Sequence, residues 1–371
     1  MTDLSIYRGR LEKVREKMAE NGVDIFLVSP SSNFFYLTGC SLHLDERLFL
    51  LVLPSAIKSR PFVLANLLYK EQVGQFLAAD SVFWKDGEDP YALLKAEIEE
   101  RGMGFAVAAL EPSLPSLFSL PLAKSFPGAR FVLGSPLIDP LRQIKDDNEL
   151  DLIRRACRES DRALAELMDR GEYWTGKTEE EFSGELSNEL RKGGVSSFGA
   201  IVAVGENAAL PHYGTGNAII EKEKCLLVDF WGRLDGYFTD CTRTFHFGKP
   251  EKEFEKIHAI VLAAQEAAQQ KARPGNTLGD VDEAARSVIE KNGYGEYFTH
   301  RTGHGLGIDV HEGESASSGV TAPLEPGMVF SIEPGIYLPG RFGVRIENLV
   351  AIRESGAEIL HSYPRELQII E

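Results

Sequence analysis

The chain has 371 residues, 43% hydrophobic and 26% charged, an ordinary globular composition long enough for two domains. Its formal net charge of -16 repels phosphate backbones and anionic lipid, which argues against nucleic-acid and membrane partners. The four cysteines, Cys40, Cys157, Cys225 and Cys241, form no C-x-x-C pair and are too sparse for a disulfide scaffold. The first twenty residues lack the apolar core of a signal peptide, and no apolar run approaches the roughly 20 residues that span a bilayer. The expectation is a cytoplasmic protein.

The first part alternates helix and strand. Ile6 to Asn21 has the pattern of an amphipathic helix closed by Gly22. Val23 to Val28 is a short apolar strand stopped by Ser29-Pro30, and Leu48 to Leu53 and Pro61 to Ala65 repeat that pattern. Glu88 to Arg101 is helical up to Gly102, and Gly104 to Leu110 is strand-like. The alternation predicts an α/β domain. Pro112, Pro115, Pro121, Pro127, Pro136 and Pro140 then punctuate the chain, which places a domain boundary near Asp139: residues 1-138 and 139-371.

A helix-rich part follows. Asp146 to Met168 is a long amphipathic helix, and Thr178 begins another, with Glu181 completing a capping-box pattern. Phe254 to Lys271 carries Phe254, Ile257, Val261 and Ala264 on one face and stops at Pro274-Gly275. Thr277 to Asn292 is a further helix ended by Gly293. Two hairpins with long turns are predicted. The first pairs Cys225–Phe230 with Phe238–Phe247 around Gly232 and Gly236. The second pairs Met328–Tyr337 with Val344–Ile352 around Pro339, Gly340 and Gly343. Each places two carboxylates about a turn apart, a weak hint of internal duplication.

Those carboxylates carry the chemistry. Asp229 ends the apolar run Cys225-Leu226-Leu227-Val228, and Asp240 sits in Phe238-Thr239-Asp240-Cys241-Thr242. Glu333 follows Met328-Val329-Phe330-Ser331-Ile332, and Glu347 follows Gly343-Val344-Arg345-Ile346. A charge in such a setting is costly unless it is paired or bound to metal. Any one of them alone reads as a strand-end carboxylate in solvent or a salt bridge; four on two hairpins do not. His304 lies in Gly303-His304-Gly305-Leu306-Gly307, where the glycines oppose a helix and suit an imidazole that approaches something closely. There is no H-E-x-x-H. Four carboxylates and one imidazole suit Mn²⁺, Co²⁺ or Zn²⁺, and four negative charges balance two divalent ions.

The set Val228-Asp229, Thr239-Asp240-Cys241-Thr242-Arg243-Thr244, Gly303-His304-Gly305-Leu306-Gly307, Ser331-Ile332-Glu333-Pro334-Gly335 and Val344-Arg345-Ile346-Glu347-Asn348 resembles the pita-bread metallopeptidases. Among them it is most similar to the Xaa-Pro dipeptidases (prolidases) and Xaa-Pro aminopeptidases. The resemblance covers roughly Asp139 to Glu371. It implies an α/β creatinase-type N-terminal domain followed by an α+β pita-bread catalytic domain.

The resemblance also implies roles. Asp229, Asp240, His304, Glu333 and Glu347 would hold two metal ions, with Mn²⁺ the first choice. Asp240 and Glu347 would bridge the ions, and Glu333 would also take the proton of the attacking water. His212, in Leu210-Pro211-His212-Tyr213-Gly214, matches the histidine that contacts substrate. His311, in Val310-His311-Glu312, matches the one that stabilises the tetrahedral intermediate. His300 and Arg345 match supporting positions near the metals and the proline pocket. The activity implied is hydrolysis of Xaa-Pro dipeptides by a homodimer, with aminopeptidase action on longer peptides as the alternative. A non-catalytic binding protein of the same fold is a third reading, disfavoured by the complete ligand set.

Overall fold

A computed structural model describes residues 4–73 and 80–371. The chain divides into two compact units, Met1–Arg142 and Gln143–Glu371.

Among the described residues the first unit is built on six strands: β1 (Ile25–Val28), β2 (Leu50–Pro54), β3 (Phe62–Asn66), β4 (Asp80–Trp84), β5 (Val107–Leu110) and β6 (Arg130–Leu133). They lie in the order β4-β3-β2-β1-β5-β6. β2 runs antiparallel to both β1 and β3, and the remaining neighbours are parallel. β1, β2 and β3 are buried along their whole length, which is why they read as continuous apolar runs rather than alternating ones. The helices are α1 (Leu4–Glu20), α2 (Ser32–Thr38), α3 (Lys70–Val73), α4 (Pro90–Glu100), α5 (Ser116–Ser125) and α6 (Ser135–Gln143). α5 and α6 carry Pro121 and Pro140 inside them, in the proline-punctuated stretch. Asp139 lies inside α6.

In the second unit α7 (Asp147–Met168) and α8 (Glu179–Lys192) precede β7 (Ser196–Val204), β8 (Lys224–Leu234) and β9 (Tyr237–Phe247). Then come α9 (Lys252–Lys271), α10 (Leu278–Lys291), β10 (Gly303–His304) and β11 (Ser315–Ala316). β12 (Val329–Ile332), β13 (Gly335–Leu338), β14 (Phe342–Arg345), β15 (Asn348–Arg353), β16 (Gly356–Ile359) and β17 (Ile369–Ile370) complete it. Local chemistry sets the helix starts: Asp146–Glu149 and Thr178–Glu181 both form reciprocal capping boxes.

Two cores carry the two halves of this unit. In one, Leu164 and Leu167 of α7 and Phe182 and Leu186 of α8 pack with Val202 of β7, Val228 and Phe230 of β8 and Phe245 of β9. In the other, Ile257 and Val261 of α9 and Val281 and Ile289 of α10 pack with Phe330 and Ile332 of β12 and Val350 and Ile352 of β15. Each half is thus a helix pair laid over an antiparallel ladder.

Both hairpins differ in detail from the sequence reading. β8 and β9 are joined by a two-residue turn, Asp235-Gly236, with both φ values positive (49° and 98°), the geometry a tight hairpin turn requires. Gly232 belongs to β8, where a Cβ would lie 2.3 Å from Val195 Cγ1. The second hairpin is two ladders. β12 pairs with β15 from Val329↔Ala351 to Ile332↔Asn348, and β13 pairs with β14 from Gly335↔Arg345 onward. Between them Glu333-Pro334 faces Ile346-Glu347 in an interruption of both strands. Pro334 has no N–H to continue a ladder. The Glu333 amide donates instead to Thr302 O, and the Glu347 amide to Thr242 O.

Candidate metal centre

The β8–β9 register positions the first two carboxylates. Asp229 pairs with Thr242, and Trp231 with Asp240. Partners across a ladder share a face, so Asp229 and Asp240 are diagonal neighbours on one side. The interruption in the second pair of ladders supplies Glu333 and Glu347. His304 comes from β10, which pairs with β11 from Gly303↔Ala316 to His304↔Ser315. A Cβ on Gly303 would lie 1.8 Å from Ser331 O, so only glycine lets this strand approach β12 closely enough to deliver the imidazole.

The nine residues singled out from the sequence, His212, Asp229, Asp240, His300, His304, His311, Glu333, Arg345 and Glu347, all line one cavity of about 240 Å³. His304 Nε2 lies 3.7 Å from Asp240 Oδ2 and 3.4 Å from Glu333 Oε1. The donor atoms of Asp240, His304 and Glu347 fall within 4.8 Å of one another.

The site is electrostatically overloaded without a cation. Burial, and then repulsion from Glu347, Asp229 and Glu333, holds Asp240 well above the usual carboxylate range. Glu333 is raised in the same way, by burial and then by Glu347. Glu347 is pushed up to about 7 by burial and then by Asp229. Burial, with His311 next, lowers His304 to about 3, so its imidazole is neutral. Its Nδ1 faces Gly305 O at 3.2 Å and therefore carries the proton, which leaves the Nε2 lone pair directed at the carboxylates. Asp240 Oδ1 and Glu347 Oε1 are buried and make no hydrogen bond. Orphaned carboxylate oxygens beside an imidazole lone pair are a donor set that fits divalent cations.

Neighbours fix the ligands in place. Thr242 donates to Glu347 Oε2 at 2.7 Å, and Ser331 donates to Glu333 Oε1 at 3.1 Å while accepting from the His304 amide at 3.0 Å. Arg345 donates to Asp229 Oδ2 at 2.6 Å and to the Tyr337 hydroxyl at 2.8 Å. Tyr337 in turn donates to His300 Nε2 at 2.8 Å, because His300 Nδ1 is committed to Arg301 O at 2.7 Å. This chain from Asp229 to His300 through Arg345 and Tyr337 was not legible in the sequence, where Tyr337 is one more apolar residue of a strand. Tyr337→Phe leaves a buried guanidinium N–H and an imidazole nitrogen without their partner. The expected result is about a tenfold loss of kcat/KM with the fold retained by circular dichroism. An unchanged rate would show that the chain does not position His300.

Glu179 is a second residue the sequence did not mark, although it stands one place after the Thr178 cap. It is fully buried at the start of α8. Its carboxylate accepts from Val204 N (2.8 Å), Asn207 Nδ2 (3.0 Å), Tyr213 OH (2.9 Å) and Gly216 N (3.1 Å). It therefore anchors the segment that carries His212. Glu179→Ala is expected to cost about 3 kcal/mol or more, read as a shift in the denaturant midpoint, because several buried donors lose their acceptor together.

Residues 151–354 match the model of metallopeptidase family M24, and residues 10–144 match that of the creatinase/prolidase N-terminal domain. The chain belongs to metallopeptidase family M24. It is 35% identical over 374 residues to a probable dipeptidase PepE of Mycobacterium tuberculosis, covering 99% of this chain and 98% of that one. It is also 35% identical to an Xaa-Pro dipeptidase of Lactobacillus delbrueckii subsp. lactis, covering 97% and 98%. Among solved structures, a recombinant prolidase from Thermococcus sibiricus superposes with a TM-score of 0.92 at 37% identity, covering 98% and 99%. The fold is that of an M24 enzyme behind a creatinase-type domain, and membership of this family implies divalent metal ions.

Proposed function

We propose that this M24 metallopeptidase hydrolyses the Xaa-Pro bond of dipeptides. The observation that carries the reading is the convergence of Asp229, Asp240, His304, Glu333 and Glu347, with orphaned carboxylate oxygens, on a cavity also lined by His212, His300 and His311. The cavity, about 240 Å³, has room for a dipeptide. Ile201, Pro211, Trp231 and Val310 offer apolar surface for a pyrrolidine ring. Relatives named Xaa-Pro dipeptidase and prolidase support the same substrate class.

In this reading Asp229, Asp240, His304, Glu333 and Glu347 hold two divalent ions, Mn²⁺ by preference. Bound there, the ions supply an acidified water and polarisation of the scissile carbonyl. In this role Glu333, one of the carboxylates crowded at the cavity, would accept the proton of the attacking water. His311, whose ring stands 4.2 Å from that of His304, would donate to the oxygen on which charge develops. His212 contacts the substrate, and Arg345 orients Asp229 through the ion pair between them. A cytoplasmic homodimer is the setting we assign to this activity.

The test is Mn²⁺-loaded protein incubated with Ala-Pro and with Ala-Pro-Ala. Release of proline from the dipeptide is expected. Turnover of the tripeptide alone, with release of its N-terminal residue, would make the protein an aminopeptidase. Binding without turnover of either would make it a binding protein of the same fold.

A further inference from the structure

Side chains alternate along β9, so the residue after Asp240 points away from the cavity. That residue is Cys241, which is buried in the core beneath α7. There it meets three residues from distant parts of the sequence: Cys157 and Asp161, one turn apart on α7, and His361, just after β16. The donor atoms of Asp161, Cys241 and His361 lie within 4.8 Å of one another. The His361 side chain is completely buried.

Asp161 and the imidazole form an oriented pair. His361 Nδ1 lies 2.8 Å from Asp161 Oδ1, while Asp161 Oδ2 accepts from the Ser362 hydroxyl at 2.8 Å and the Tyr363 amide at 3.2 Å. With Nδ1 committed, Nε2 is the free position of the ring. It is buried and makes no hydrogen bond. Both thiols stand near the imidazole. Cys157 Sγ accepts a hydrogen bond from Thr239 at 3.6 Å.

A carboxylate on one nitrogen of an imidazole, with soft donors beside the other, is how a protein orients a metal-ligating histidine. We propose that Cys241 and His361, the imidazole oriented by Asp161 and flanked by Cys157, form a second buried site for one thiophilic divalent ion such as Zn²⁺, on the opposite face of β9 from the dinuclear centre. Zn–S and Zn–N bonds of about 2.0–2.3 Å place tetrahedral donors roughly 3.5 Å apart, so the donors of Cys241 and His361, already within 4.8 Å, would draw together around the ion. The ion would cross-link α7, β9 and the C-terminal segment and hold the backbone that carries Asp240. The competing occupant is a proton on His361, which would make the cluster a buried imidazolium among thiols.

Cobalt separates the two. The dinuclear ligands offer oxygen and one imidazole nitrogen but no sulfur, so only this second site can give a thiolate-to-Co²⁺ charge-transfer band in the near ultraviolet. The full chain, stripped with chelator and kept reduced with a phosphine, is titrated with Co²⁺. The band is expected to appear and to saturate at one ion per chain. It persists in Glu347→Gln and disappears in the Cys157→Ser, Cys241→Ser double variant, where Cys40 and Cys225 remain as controls. His361→Gln, which keeps both thiols, needs a higher Co²⁺ concentration for the same band. No band in the unaltered chain would overturn the proposal, as would an unchanged band in the double variant or an unchanged titration in His361→Gln.

Discussion

Asp240→Ala is expected to abolish metal-dependent hydrolysis while the protein remains folded. Asp240 is 5% exposed, with one carboxylate oxygen 3.7 Å from His304 Nε2 and the other free of hydrogen bonds. Altering a residue that merely supports a metal ligand costs about 10–100-fold, so on our assignment of Asp240 as a ligand its removal exceeds that, and activity falls by more than about a hundredfold. The fold should survive because the deleted group is a source of repulsion: its charged form is opposed by burial and by Glu347, Asp229 and Glu333. The metal-free variant is therefore expected to melt no lower than the metal-free parent. Metal addition should raise the melting temperature of the parent and do much less for the variant. Full activity in Asp240→Ala, with metal content unchanged, would refute the assignment.

Chelation is expected to make stability fall with rising pH. In the metal-free protein Glu347 titrates at about 7, and Asp240 and Glu333 are also raised. The unfolded chain releases the corresponding protons near pH 4. Between about pH 4 and pH 7 the folded state binds more protons than the unfolded state, so the free energy of unfolding decreases as pH increases. The loss is complete above the raised values and amounts to a few kcal/mol for Glu347 alone. Bound cations displace those protons, so their stabilising effect grows over the same interval. Denaturant titrations of chelated and loaded protein between pH 5 and pH 8 would measure this, and the difference between the two forms cancels every group outside the site. A difference that is flat or shrinks with pH would show that the carboxyls are not crowded as described. Loading at pH 6 should also release protons, detectable by calorimetry in buffers of different ionisation enthalpy.

The helices of the second unit were legible because their signals are local. Thr178 with Glu181 states where α8 begins, and the apolar stripe of Phe254, Ile257, Val261 and Ala264 states which face of α9 is inward. Asp229, Asp240, Glu333, Glu347 and His304 stood out because each was out of place in its surroundings, a property readable one segment at a time. What escaped depended on partners far along the chain. The break at Glu333-Pro334 is invisible in an apolar run, because it exists only where Thr302 O and Thr242 O take the amides that a ladder would have used. α5 and α6 were hidden by prolines that helices tolerate when packing favours them. Tyr337 and Glu179 carry no mark of their own; each matters through groups that long-range folding brings to it.

The interruption in the second pair of ladders has a kinetic corollary. Its two glutamates are tied to backbone oxygens of Thr302 and Thr242, so the cation-binding geometry cannot exist until segments separated by 105 residues, Thr242 and Glu347, have docked. Contacts of such sequence separation form slowly, because loop closure is opposed by chain entropy until they are made. Refolding in the presence of metal should therefore show ion uptake as a late phase, after helix formation is complete, and the ion would act as a latch on a finished structure rather than as a nucleus for it.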